Sequence, residues 1–187
     1  MRTRLASVTA ALVLLALAFV VARTEPESEV RFAPFVQTVA IGERATGRNI
    51  AAQVDGAEFA DTVSMGSWTG ETRGVWLVVE AQTAAMLTSS LPGAELHVGE
   101  RTWIPSQRAD YSSLQKTTLA PGLPMAGVFV FELPSDIASV PGADRAVLWI
   151  MSGSDARLDS VVQATIDLGT LGRSDRLDLA PAERATW

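Results

Sequence analysis

His97 is the only imidazole in the chain, and its neighbours in sequence offer it two groups to work with. Glu95 to Val98 and Arg101 to Ile104 read as two short strands joined by Gly99-Glu100, a Gly-X loop with the signature of a type II′ turn. That register pairs Val98 with Arg101, His97 with Thr102, Leu96 with Trp103 and Glu95 with Ile104. Alternation then puts Glu95, His97 and Thr102 on one face. A carboxylate orienting an imidazole that takes a proton from a hydroxyl is the arrangement of nucleophilic acyl transfer. The location argues against that chemistry. These three side chains stand beside a turn, opposite Leu96, Val98 and Trp103, where water competes for every hydrogen bond. No Gly-x-Ser-x-Gly elbow supplies an exposed nucleophile. His97 is read as a solvent-facing strand residue, and no catalytic residue is assigned.

Two acidic clusters come next, Asp55 with Glu58 and Asp61, and Asp155 with Asp159. Calcium takes about six to eight oxygens, from a loop with acids at alternating positions and a central glycine. Asp55-Gly56 begins such a pattern and Ala57 breaks it. Carboxylate pairs also cleave glycosides, but a sugar cleft needs aromatic walls, and the chain has 6% aromatic residues with one tyrosine. Both clusters are read as solvated loop charges, so neither a metal nor a cofactor is assigned. Trp76, Trp103 and Trp149 lie inside strand patterns and are read as core. Trp68, in Gly66-Ser-Trp-Thr-Gly70, reads as a loop residue and is the one candidate for an interaction surface. Trp187 ends the chain after a polar segment.

Composition excludes more than it assigns. There is no cysteine, hence no disulfide, thiol chemistry, thiolate metal site or lipidated cysteine. Residues 23–187 hold 13 basic and 21 acidic side chains, a formal charge of −8, which phosphate backbones and anionic lipid headgroups repel. Nucleic-acid binding is excluded on that ground. The single asparagine, Asn49, is followed by Ile50-Ala51 and is no glycosylation acceptor.

The elements that must position these residues begin at the N-terminus. Arg2 and Arg4 precede the uncharged run Leu5 to Ala22, whose 18 residues rise about 27 Å as a helix, near the roughly 30 Å of bilayer hydrocarbon. The run reads as a signal-anchor. Ala16-Leu-Ala18 and Val20-Val-Ala22 also end as a cleaved signal peptide does, which would give a secreted chain. Glu25, Glu27 and Glu29 follow Arg23, so the positive-inside rule keeps the N-terminus in the cytoplasm and sends the rest across. The expected organisation is anchor or signal over 1–22, linker over 23–34, folded domain over 35–170 and C-terminal tail over 171–187.

Beyond the linker the pattern is β. Strands are expected over 35–41, over 49–64 with a bulge or turn at Asp55-Gly56, and over 75–83, 127–133, 145–151 and 158–168. Gly/Pro clusters separate them, and Asp136 to Val140 suits one helical turn. The more apolar phase of these strands gives a core of Leu77, Val79, Phe129, Phe131, Leu148, Ile150, Val162, Ala164 and Ile166. Seven to nine short strands without long helices predict an all-β, antiparallel β-sandwich.

The order of a Gly74-Val-Trp-Leu-Val-Val79 strand, a hairpin ending near Trp103, and Thr118-Leu-Ala-Pro-Gly-Leu-Pro-Met-Ala-Gly-Val-Phe-Val-Phe-Glu-Leu-Pro134 carries a resemblance. Over roughly residues 50–168 the chain resembles the immunoglobulin-like extracytoplasmic domains of Gram-positive lipoproteins and small secreted actinobacterial antigens. The resemblance implies an immunoglobulin-like sandwich serving as a non-catalytic envelope module, with no shared active-site residues. The chain departs from the lipoproteins in lacking their anchoring cysteine, which Leu5 to Ala22 would have to replace. Function is therefore expected to be protein interaction within a cell-envelope assembly, with another membrane or envelope protein as partner and the bilayer held through Leu5 to Ala22. A small-ligand-binding protein is the alternative, needing an apolar cavity between the sheets or under the 106–124 loop. A hydrolase ranks last.

Overall fold

The computed structural model describes residues 11–20, 23, 32–109 and 113–187. Residues 11–20 are helical, and Arg23 lies 5.1 Å over the ring of Phe19. The helix expected over 5–22 falls partly on residues 1–10 and 21–22, which lie outside the described residues, as does most of the linker. Among the described residues no helix is long and apolar enough to cross a membrane. Residues 1–33 and 34–187 form separate compact units; among the described residues, all the strands lie in the second.

Its described residues form eleven strands: β1 (Phe35–Val39), β2 (Arg44–Thr46), β3 (Ile50–Met65), β4 (Trp68–Ala85), β5 (Pro92–Val98), β6 (Arg101–Trp103), β7 (Met125–Leu133), β8 (Ala146–Ser152), β9 (Ser160–Ile166), β10 (Arg173–Leu179) and β11 (Glu183–Arg184). One sheet runs β1-β9-β8-β5-β6. The other runs β10-β3-β4-β7-β11, with β2 paired to β3. Their facing sides share one core, and all nine residues expected there are buried in it. The chain is a β-sandwich. The expected turn near Asp136 is the 3-10 turn Ile137–Ser139.

The strictly antiparallel expectation needs correction at two edges. β1 runs parallel to β9, and β10 runs parallel to β3. Nor is 171–187 a tail, since it supplies β10 and β11. The alternation in Arg173–Leu179 escapes notice because charges fall on both phases, Arg173 and Asp175 on the same one as Leu177 and Leu179.

The β3–β4 hairpin has the local irregularity read at Asp55-Gly56, where the register shifts between Val54 and Gly56. A larger shift follows: Ala60 pairs with Trp76, yet Thr62 pairs with Glu71, leaving Thr72 to Val75 without partners on β3. The arm beyond this point folds back over the outer face of its own sheet, and the Trp76 indole N–H donates to the Gly70 carbonyl at 3.1 Å. A Cβ on Gly74, inside the bend, would stand 1.9 Å from the Leu133 carbonyl oxygen, so glycine is required there. Beneath the folded arm Val63, Met65, Trp76, Val78 and Val130 form a second, smaller core, and Leu177 and Leu179 of β10 pack onto it. Trp76 is thus buried as expected, but on the opposite side of its sheet from the main core.

Candidate functional site

The hairpin that carries His97 folds in the register read from sequence, with Leu96, His97 and Val98 opposite Trp103, Thr102 and Arg101. Gly99 has φ +58°, the conformation a Gly-X turn requires of its first residue. A two-residue loop makes Val98 and Arg101 the hydrogen-bonded pair. His97 and Thr102 are then a non-hydrogen-bonded pair, whose side chains approach more closely. Thr102 Oγ1 lies 3.0 Å from His97 Nδ1.

Glu95, two residues back on the same face, places Oε2 3.3 Å from His97 Nε2. This contact is at ion-pair distance but off the line of a hydrogen bond, and Nε2 itself is shielded from solvent. A carboxylate there favours the tautomer with the proton on Nε2, which leaves Nδ1 to accept from the Thr102 hydroxyl. The sequence of groups is hydroxyl, imidazole, carboxylate. Its hydroxyl is exposed on the short edge strand β6.

The expectation that His97 stands free in water is corrected. Its side chain is 27% exposed, and its ring packs on Trp149 with centroids 4.6 Å apart. Trp149 lies on the outer face of the five-stranded sheet rather than in the core. It pairs across the ladder with Glu95 on one side and Gln163 on the other. Its indole N–H donates to Gln163 Oε1 at 2.9 Å, and Gln163 Nε2 in turn donates to Thr38 Oγ1 at 3.4 Å. The alternation that sends Leu148 and Ile150 inward sends Trp149 outward, so the signal was present in the sequence. The result is a half-buried aromatic ringed by Glu95, His97 and Gln163. Beside it opens a surface hollow of about 330 Å³ lined by His97, Gly99, Gly142 and Arg145.

Trp68 is placed differently from its expected position. It opens β4 instead of lying in a loop, is half-buried, and meets Trp76 edge-to-face with centroids 5.9 Å apart. Trp187 is exposed at the C-terminus, 4.9 Å under the guanidinium of Arg44. The acidic clusters are dispersed among local partners. Asp55 accepts from Gln53 and Gln82, Glu58 from Ser174, and Asp61 from Arg173. Asp155 is clasped by Arg157, whose side-chain and backbone hydrogen bonds lower its pKa to about 2. Asp178 is also lowered, first by the Ser64 hydroxyl and then by Arg176. Among the described residues no group of three or more His, Cys, Asp or Glu is placed to hold a metal ion. An apolar hollow of about 280 Å³ lies between Leu91, Ile104, Met151 and the loop residues Gln107 and Gln115.

No protein-family model matches the chain, and no curated protein matches it. Two solved structures are similar in fold. One is an uncharacterized beta-sandwich protein from Clostridium difficile 630, at 12% identity and a TM-score of 0.48, covering 74% of this chain and 99% of that one. The other is the yjhA protein from Bacillus subtilis, at 16% identity and a TM-score of 0.46, covering 67% and 98%.

Proposed function

We propose that the chain is a membrane-anchored, extracytoplasmic, immunoglobulin-like module that binds a protein partner of the cell envelope and carries out no chemistry of its own. One observation carries the binding part: the half-buried Trp149 on the outward face of the five-stranded sheet, ringed by Glu95, His97 and Gln163. An aromatic surrounded by polar groups that exclude water on contact is the composition of an interface hot spot. The immunoglobulin-like reading is supported by strand order. β9-β8-β5-β6 opposite β3-β4-β7 follows the arrangement G-F-C-C′ opposite A-B-E of that fold, with β1 and β10 as additions at the edges. The anchored, extracytoplasmic reading rests on the basic start and apolar run of residues 1–22 and on the acids that follow them.

Migration of the detergent-solubilised membrane protein in native electrophoresis tests this. The wild type should run in an assembly larger than itself, and Trp149→Ala should shift it to the free chain without loss of fold. A wild type that runs alone, or an assembly that Trp149→Ala leaves intact, would overturn the reading.

A catalytic reading has its own observation, the Thr102–His97–Glu95 sequence of groups. It is the weaker one because Thr102 lies open to water on an edge strand, where an attacking hydroxyl gains no water-excluding site. The small-ligand reading has the 280 Å³ hollow, just below the roughly 300 Å³ at which ligand pockets begin.

A further inference from the structure

The exposed apolar side chains of the folded domain are unevenly distributed. The starts of β1, β5 and β9 and the ends of β6 and β8 meet at one end of the first sheet. In the second sheet the starts of β3 and β7 and the end of β4 meet at the same end, tied to the first sheet by Asn49 and Arg48. Phe35, Leu87, Leu91, Ile104, Leu123 and Leu158 all lie there, in the strand tips and loops, and Leu87 and Ile104 are each 64% exposed. Backbone hydrogen bonds join these loops: Gly153 N–H to the Leu91 carbonyl at 2.8 Å, Gly122 N–H to the Ala85 carbonyl at 2.9 Å, and Phe35 N–H to the Asp159 carbonyl at 2.9 Å. Leu158 holds φ +56°, a conformation that bulky side chains rarely adopt, while its side chain stays half exposed. Strain that keeps an apolar residue in water is the kind of feature found at binding sites.

Charge is distributed unevenly in the same way. Around this end stand the cations Arg48, Lys116, Arg157 and Arg184 and the acids Glu95, Asp155, Asp159 and Glu183. The rest of the described part of 34–187 has seven cations against thirteen acids. The apolar end is therefore balanced in charge while the remainder is acidic, so it is the end that an anionic surface repels least. The chain also enters the domain at that end, since Phe35 opens β1 there.

We propose that this end of the sandwich seats on the lipid bilayer, with Leu87, Leu91, Ile104 and Leu158 entering the headgroup region and Arg48 and Arg184 facing lipid phosphates. The proposal rests on the anchored reading of residues 1–22 and adds a second membrane contact to it.

The test uses the full chain in vesicles of phosphatidylcholine and phosphatidylglycerol. The absence of native cysteine allows single labels. An environment-sensitive fluorophore is attached at Leu87→Cys, Leu158→Cys or, at the opposite end, Glu100→Cys, and doxyl-labelled lipids serve as quenchers. The labels at 87 and 158 should shift to the blue and lose severalfold more signal to the quencher than the label at 100. Leu91→Asp with Ile104→Asp, both exposed changes, should return the 158 signal to the level of 100. Equal, weak quenching at all three positions on vesicle-bound chain would overturn the membrane contact while leaving the anchor in place. A blue shift without lipid quenching would also overturn it, since another copy would then cover this end. Chain that fails to bind vesicles would overturn the anchor and the contact together.

Discussion

Asn49 Nδ2 donates to Ser152 Oγ across the two sheets at 3.0 Å, and the same side chain turns its oxygen to the backbone of a third segment. Oδ1 accepts from the N–H groups of Leu87 and Thr88 at 2.8 and 2.9 Å, and Nδ2 also reaches the Thr88 carbonyl. The only asparagine of the chain therefore joins the start of β3, the loop after β4 and the end of β8. Asn49→Ala removes all of these at once and should lower stability by about 2–3 kcal/mol, given about 1 kcal/mol net per bond and partial access of water. Asn49→Asp keeps the two accepted bonds and should cost less. A urea midpoint unchanged by Asn49→Ala would contradict this role.

Phe131 is fully buried between the sheets, so its truncation leaves a cavity that the rigid ladder around it cannot close. Phe131→Ala should cost about 3–5 kcal/mol. Chemical denaturation measures it, and a loss below about 1 kcal/mol would show that the site collapses or is open.

Most of this core was legible in the sequence because strand alternation is a local signal. Leu77 and Val79, Phe129 and Phe131, and Leu148 and Ile150 mark their own phases, and the Gly99-Glu100 turn set the hairpin register down to the His97–Thr102 pair. What stayed hidden depends on which element covers an outer face, and no local pattern encodes that. Trp76 is buried and Trp68 half-buried by a hairpin bending on itself at Thr72 to Val75, which have no partners on β3. Trp149 is left outside because nothing folds over it.

Trp68 consequently has a structural cost that its glycine-flanked sequence conceals. Its edge-to-face contact with Trp76 contributes about 0.5–1.5 kcal/mol beyond burial. Trp68→Ala should therefore lower the melting temperature by several degrees, at roughly 2–4 °C per kcal/mol for a domain of this size. An unchanged melting curve would return Trp68 to the surface.

The loop between β8 and β9 should be unusually tolerant of acid. Asp155 titrates at about 2 in the folded chain, below its unfolded value, because Arg157 holds the carboxylate. A depressed carboxyl pKa contributes stability that is present above the unfolded value and lost as pH falls through the folded one. The side-chain carboxyl resonance of Asp155 should thus move between about pH 3 and 1, with its midpoint near 2. Both groups are exposed, so the effect is confined to loop order and weakens with salt. A midpoint near 4 would mean the clasp does not persist in solution.

Whether this chain works by binding through the outer face of the five-stranded sheet can be read in one measurement in intact cells. A photo-crosslinking residue replaces Thr165, which is exposed on that face opposite Val147 and one strand from Trp149. Irradiation should yield one adduct of defined mass that persists with Thr102→Val, which removes the hydroxyl beside His97, and disappears with Trp149→Ala while the protein remains folded and abundant. An adduct unaffected by Trp149→Ala, or none at all, would contradict the account.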